Sequence, residues 1–278
     1  MNSKKCVILI LAACLSTTRS LSQTMPASAK SRVETISHAL TSGNDHPAQA
    51  VTEEPTGPIQ DIRTLGDFEQ WSAYYYLYPC PNLTVKALKF ADKNGVFYHE
   101  GAPAFLIALM SQIFAANPNK LASWIDQLSE ITPQHKVLVW KALWLVNTEQ
   151  SRKVANQLAQ QFPGSNRPPV LSQASPIPRA IEKMDLSPGV LDMLWACFSV
   201  TGDQKYIERI MSALPGLRKG QHDANKMFTA GAAQWSLTAN ARQHKRVMEI
   251  CLNARRNHPE LQPELDKIIA QAKLPTGK

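Results

Sequence analysis

No stretch of this 278-residue chain approaches the roughly 18 apolar residues that a membrane-spanning helix needs. The longest apolar run, Cys6 to Leu15, has ten. Cysteine is scarce as well: five in the whole chain is too few for a disulfide framework. No CxxC or Cys/His spacing suggests a metal centre. The motifs HExxH, GxSxG, GxxxxGK[ST] and GxGxxG are missing, which leaves metalloprotease, α/β-hydrolase, phosphate-loop and dinucleotide-binding readings without a signature. What is present is an ordinary globular balance, 44% apolar and 19% charged, too apolar for full disorder. Thirty Lys and Arg against 22 Asp and Glu leave a formal charge of +8. The composition names no catalytic residue, cofactor or metal, and the chain reads as a non-enzyme.

The N-terminus reads as an address. Lys4 and Lys5 precede the run CVILILAACL, the layout of a secretory signal. Within it, Leu11-Ala12-Ala13-Cys14 resembles the lipobox of bacterial lipoproteins. That resemblance implies lipidation of Cys14 and loss of residues 1–13. Leu15, rather than Asp, follows the cysteine, and by the same resemblance the implied destination is the outer membrane. A rival cleavage after Ala27-Ser28-Ala29 is also open, but it lies beyond the apolar run with Arg19 between, so Cys14 is favoured. One acylated residue would tether an otherwise soluble domain.

Residues 14–60 are rich in Ser, Thr, Ala, Pro and Gln and read as a flexible tether. From residue 61 the pattern turns helical, with Asp67, Asn82 and Asp223 as expected caps. Pro103, Thr132-Pro133 and Ser187-Pro188 mark first turns, and Thr201-Gly202-Asp203 combines a stop with a new start. The expected fold class is all-α. Four segments share a plan: Phe114–Asn117, Trp144–Asn147, Phe198–Thr201 and Leu237–Asn240, each followed by a polar break and a second amphipathic segment. This predicts stacked αα-hairpins, each covering its neighbour, in an irregular α-solenoid or a helical bundle. A proline-rich insert at 163–187 separates the second hairpin from the third. The hairpins resemble tetratricopeptide-type units in size without the consensus.

A second resemblance runs through Trp71-Ser72-Ala73-Tyr74-Tyr75, Ala142-Leu143-Trp144, Thr201-Gly202-Asp203 and Ala232-Ala233-Gln234-Trp235-Ser236 with Asn240 and Gln243-His244. Together these resemble a family of exported bacterial proteins over about residues 65–256. The resemblance implies an all-helical fold and brings no known activity with it.

Residues able to do chemistry are scattered. His99-Glu100 offers an imidazole beside an acid, although sequence neighbours need not converge. His135, His244 and His258 stand alone and read as surface or helix-end residues. Trp71, Tyr74, Tyr75, Tyr76 and Tyr78 crowd eight residues; Phe68, Trp71 and Tyr75 make a core stripe, leaving Tyr74 and Tyr78 as the rings expected to be exposed. Cys197 and Cys251 read as buried small hydrophobes.

Charge is the sharper signal. Without residues 1–13, 28 basic residues face 22 acidic ones, a balance of +6. Residues 218–256 alone hold eight basic residues and two acids, again +6. Arg242, Lys245, Arg246, Arg255 and Arg256 are the candidate surface for an anionic partner, with Arg242, Arg246 and Arg256 expected opposite a buried stripe of Val247, Ile250, Cys251 and Ala254. The combined expectation is an exported, lipid-anchored helical binding or scaffold protein of the bacterial envelope that takes a protein or peptide. Binding of anionic lipid or lipopolysaccharide through the basic face, or an envelope hydrolase with a dispersed site, are the alternatives. Nucleic acid is not an expected partner.

Overall fold

The computed structural model describes residues 54–162, 164–174, 179–218, 220 and 223–274. Cys14 and most of the expected tether therefore lie outside the described residues. The described chain is all-α, with eleven helices and no strand: α1 (Leu65–Ala73), α2 (Thr84–Lys93), α3 (Ala102–Ala116), α4 (Leu121–Gln127), α5 (Pro133–Val146), α6 (Glu149–Gln160), α7 (Pro188–Thr201), α8 (Gln204–Met211), α9 (Ala224–Gln243), α10 (Lys245–Asn257) and α11 (Gln262–Lys273). No helix among these residues is long and apolar enough to cross a membrane.

Local chemistry accounts for most boundaries. Pro103, Pro133 and Pro188 occupy first turns, where a missing N–H costs nothing. Asp203 and Asp223 accept backbone N–H groups at the starts of α8 and α9. Two expected caps shift. Thr64, not Asp67, caps α1: the Thr64 side chain accepts from Asp67 N while the Asp67 carboxylate takes the Thr64 N–H, a capping box. Asn82 sits in a 3-10 turn (Pro81–Leu83), and its side chain accepts from Lys120 Nζ at 2.8 Å instead of capping α2.

The centre is formed by two helices that are apolar almost all round, as fully buried helices are. α3 has no charged residue and buries Phe105, Leu106, Leu109, Met110, Ile113 and Phe114. α7 has one, Asp192, and buries Leu191, Leu194, Trp195, Cys197 and Phe198. They pack on each other more extensively than any other pair. Each large side chain buried there is worth about 1.5–3 kcal/mol relative to exposure.

Around this pair three of the four expected hairpins pack helix on helix: α5 with α6, α7 with α8 and α9 with α10. α4 packs on α6 more than on α3, and the order of packing is not chain order. α3 lies between α5 and α7, and α9 follows against α7, with α11 against α9. The lateral order is thus α5, α3, α7, α9, α11, whereas a simple solenoid would stack the second hairpin on the third. The proline-rich insert is the return connection. Its near end is held to α6 by Asn156, whose side chain bonds both Leu171 N and O at 2.7 and 2.8 Å. Its far end buries Ile181 against α7, and Arg209 on α8 donates to Met184 O at 3.0 Å. The expected break after Asn240 is also displaced: α9 continues to Gln243, because neither Gly nor Pro stops it there.

Candidate functional site

The densest meeting of sequence-marked residues lies where the turn after α1, the end of α7 and the α9–α10 junction converge. α1 ends at Ala73, and the following rings turn inward. Tyr74 stacks on His244 with centroids 4.3 Å apart, and its hydroxyl donates to Gln243 O at 3.2 Å. Tyr76 N donates to Ser199 O at 2.8 Å, and its ring packs against Phe198 at 5.2 Å. Gly202, in the left-handed region at φ +66°, ends α7 directly against that ring; an added Cβ would stand 2.9 Å from Tyr76 Cδ2. Residues that carry the exported-protein resemblance, Tyr74, Gly202, Gln243 and His244, thus meet at one corner.

This corrects one expectation and sharpens another. Tyr74 is buried rather than exposed, and His244, expected at the surface or at a helix end, is at a helix end but buried. Burial pushes the His244 imidazole down to about 3. Burial, with the Glu54 charge adding to it, pushes the Tyr74 hydroxyl up to about 12. Tyr78 is half-buried, and Tyr75 joins the core beside Trp71 in an edge contact at 5.7 Å.

On the outer side of these rings is a shallow groove lined by Gln70, Trp71, Tyr74, Tyr78 and Cys80. Residues 54–60, at the end of the expected tether, lie across it without regular structure. Pro55, Gly57 and Ile59 are half-buried, while Thr56, Pro58 and Gln60 face water. Tyr78 donates its hydroxyl to Pro55 O at 3.2 Å, and the Cys80 thiol approaches Ile59 O at 3.8 Å. Glu54 pairs with Lys245 at 3.8 Å. Beyond the strap, Asp61 bonds Lys86 and Arg63, which hold its carboxyl well below the usual range. About 10 Å³ remains between strap and groove, room for a single water.

The basic residues do not share one face. Arg242 belongs to the last turn of α9, not to α10; it is half-buried and donates to Gln271 O at 2.9 Å. Lys245 pairs with Glu54, Arg246 with Glu249 at 3.9 Å, and Arg255 with Asp266, while Arg256 bonds Asn253. Arg218 reaches Glu264 at 2.9 Å. Glu54, Glu264 and Asp266 all come from outside residues 218–256, so charge concentrated along the sequence is partly matched in space.

A second cluster escaped the reading of the sequence. His135, expected at the surface or at a helix end, stands in the first turn of α5 but is buried: its Nδ1 lies 2.5 Å from Asp92 Oδ1, its ring stacks on Phe97 at 4.3 Å, and Tyr98 meets it edge-on at 4.9 Å. Burial pushes the Asp92 carboxyl up, but hydrogen bonds from His135 and Thr132 outweigh it and hold the group below its ordinary range. The geometry orients an imidazole as an acid–base pair does, with Nε2 buried and unbonded beneath the turn Val96–Tyr98. His99 and Glu100, the sequence candidates, are exposed. Among the described residues no three His, Cys, Asp or Glu side chains group to hold a metal. Cys197 and Cys251 are fully buried, and burial pushes both thiols up to about 12, away from reactivity.

No protein-family model matches this chain, and neither a curated protein nor a solved structure does.

Proposed function

We propose that this chain is an exported, lipid-anchored helical binding or scaffold protein on the periplasmic side of the bacterial envelope, taking a protein or peptide partner. The N-terminal layout, two lysines followed by CVILILAACL with Leu11-Ala12-Ala13-Cys14, supports the location. One observation carries the binding role: an aromatic groove on a rigid helical body already receives a piece of chain through main-chain carbonyls. Exposed Met227 and Trp235, both on α9, add an apolar surface of the kind that partners cover.

Mass spectrometry of the mature protein tests the location. A diacylated or triacylated Cys14 is expected, and a free N-terminus at Lys30 overturns the lipid anchor. Native crosslinking tests the binding role: an envelope protein should be captured in a defined complex.

A second reading, binding of anionic lipid or lipopolysaccharide, draws on Arg246, Arg255 and Arg256, which stay exposed on α10. Substituting all three by Glu should abolish sedimentation with anionic vesicles. Unchanged sedimentation removes that reading.

A further inference from the structure

α9 is held by α7 on one flank and α11 on the other, and its outward side is apolar. Met227 and Trp235 stay 49% and 44% exposed there. Phe228 is half-buried and stands outside the hydrophobic core. Gly231 lies one turn from Met227 and one turn from Trp235, and a Cβ built on it meets nothing within 4 Å. At 3.6 residues per turn these four positions fall within about 100° of arc, so they form one patch rather than scattered contacts. Trp235 is also the one exposed tryptophan of the chain's six. Trp71, Trp124, Trp140 and Trp195 are buried and Trp144 is half-buried.

Two observations point to what meets this face. The first is charge. No acidic residue occurs between Asp223 and Glu249, whereas Lys226 stands at one end of α9 and Arg242, Lys245 and Arg246 at the other. Asp223, Glu54 and Glu249 do approach Lys226, Lys245 and Arg246, at 4.0, 3.8 and 3.9 Å. Those pairs are long and their cations largely exposed, so a phosphate can replace the carboxylates at little cost. The second is the path of the chain. Glu54 reaches Lys245 just past the end of α9, so the chain before residue 54 leaves the body at this end of the patch. Residues 15–53 separate that point from Cys14. As the flexible tether expected from their composition they would span about 35 Å root-mean-square, and at most about 140 Å. An acylated Cys14 therefore brings a bilayer, ahead of any other surface, within reach of this face.

We propose that the α9 face of Met227, Phe228, Gly231 and Trp235 seats the helical body on an anionic phospholipid bilayer, with the Trp235 ring among the headgroups and Lys226 and Lys245 toward the phosphates. Apolar and aromatic side chains flanked by bases are what interfacial helices present to a membrane. The proposal rests on the lipid-anchored reading above for its location and adds the contact face. It does not draw on the α10 arginines Arg255 and Arg256.

The test uses the full chain with Cys14→Ser, which removes any acyl group, and vesicles of phosphatidylglycerol and phosphatidylcholine in equal parts. Tryptophan emission should be quenched when the phosphatidylcholine is brominated on its acyl chains, and Trp235→Phe should remove most of that quenching. Met227→Glu combined with Trp235→Glu should weaken sedimentation with the vesicles about tenfold. Both chains share residues 1–13, so their difference reports on α9. Vesicles of phosphatidylcholine alone should bind several-fold more weakly, and equal binding to both overturns the anionic class. Absence of quenching, quenching untouched by Trp235→Phe, or unchanged sedimentation of the double variant at unchanged helicity overturns the proposal. A dimer that forms without vesicles and is lost on Trp235→Glu overturns it in favour of a second copy. A failure here leaves the lipid anchor standing, and a free Lys30 terminus removes the anchor while leaving this measurement valid.

Discussion

The α3–α7 pair and the strapped groove both pack chain against aromatic rings, yet they are built to opposite standards. In the pair, Phe114 and Phe198 are essentially inaccessible and both stand on regular helix. At the groove, the covering segment has no regular structure, alternates between inward and exposed residues, and presents a glycine to open space. Close packing makes the first region a determinant of stability. The second is held by fewer and more polar contacts, with Ile59 its one large apolar side chain packed on the core. Nothing in the sequence as a string distinguishes them as clearly as this contrast in fit.

The comparison breaks most sharply at Phe198. Phe198→Ala leaves a cavity on α7 and removes the ring that packs against Tyr76 and His244; a loss of about 3–5 kcal/mol is expected in urea denaturation. A loss below 1 kcal/mol would mean that the central pair is no tighter than the groove.

The corner between the two regions should show itself in acid. His244 is buried neutral, with its folded value pushed down to about 3 against about 6.5 when unfolded. The unfolded chain then binds the extra proton, so the contribution is intact above pH 6.5 and is lost as pH falls toward 3. The slope should approach 1.4 kcal/mol per pH unit across that window. His244→Phe keeps a ring against Tyr74 and should flatten that slope; an identical slope in the variant contradicts the assignment.

The smallest effect belongs to the surface. Arg255→Ala removes an exposed pair with Asp266 and should change stability by less than about 0.5 kcal/mol, measured by thermal melting. A loss near that of Phe198→Ala would place unexpected weight on the α10–α11 surface.

Much of the fold is legible along the chain, because its signals are local. Pro133 and Pro188 in first turns, Asp203 and Asp223 as caps and Gly202 as a stop each act over a few residues. The lack of charge in α3 already marks it as a central helix. The site was less legible. Tyr74, His135 and His244 look like surface residues in their own segments, but their burial depends on Gln243, Asp92 and Phe198, which are distant in the sequence. The basic stretch misleads for the same reason: Glu54, Glu264 and Asp266 reach it only through the fold.

By itself, then, the sequence determined the helices, most of their ends and the pairing of three neighbouring couples into hairpins, since caps, prolines and amphipathic spacing act within a turn or two. The tertiary structure alone decided that α3 lies between α5 and α7, that an aromatic corner forms around His244, and that residues 54–60 fold back over a groove. Those outcomes follow from which apolar faces find one another across long stretches of chain, and no local rule encodes that choice.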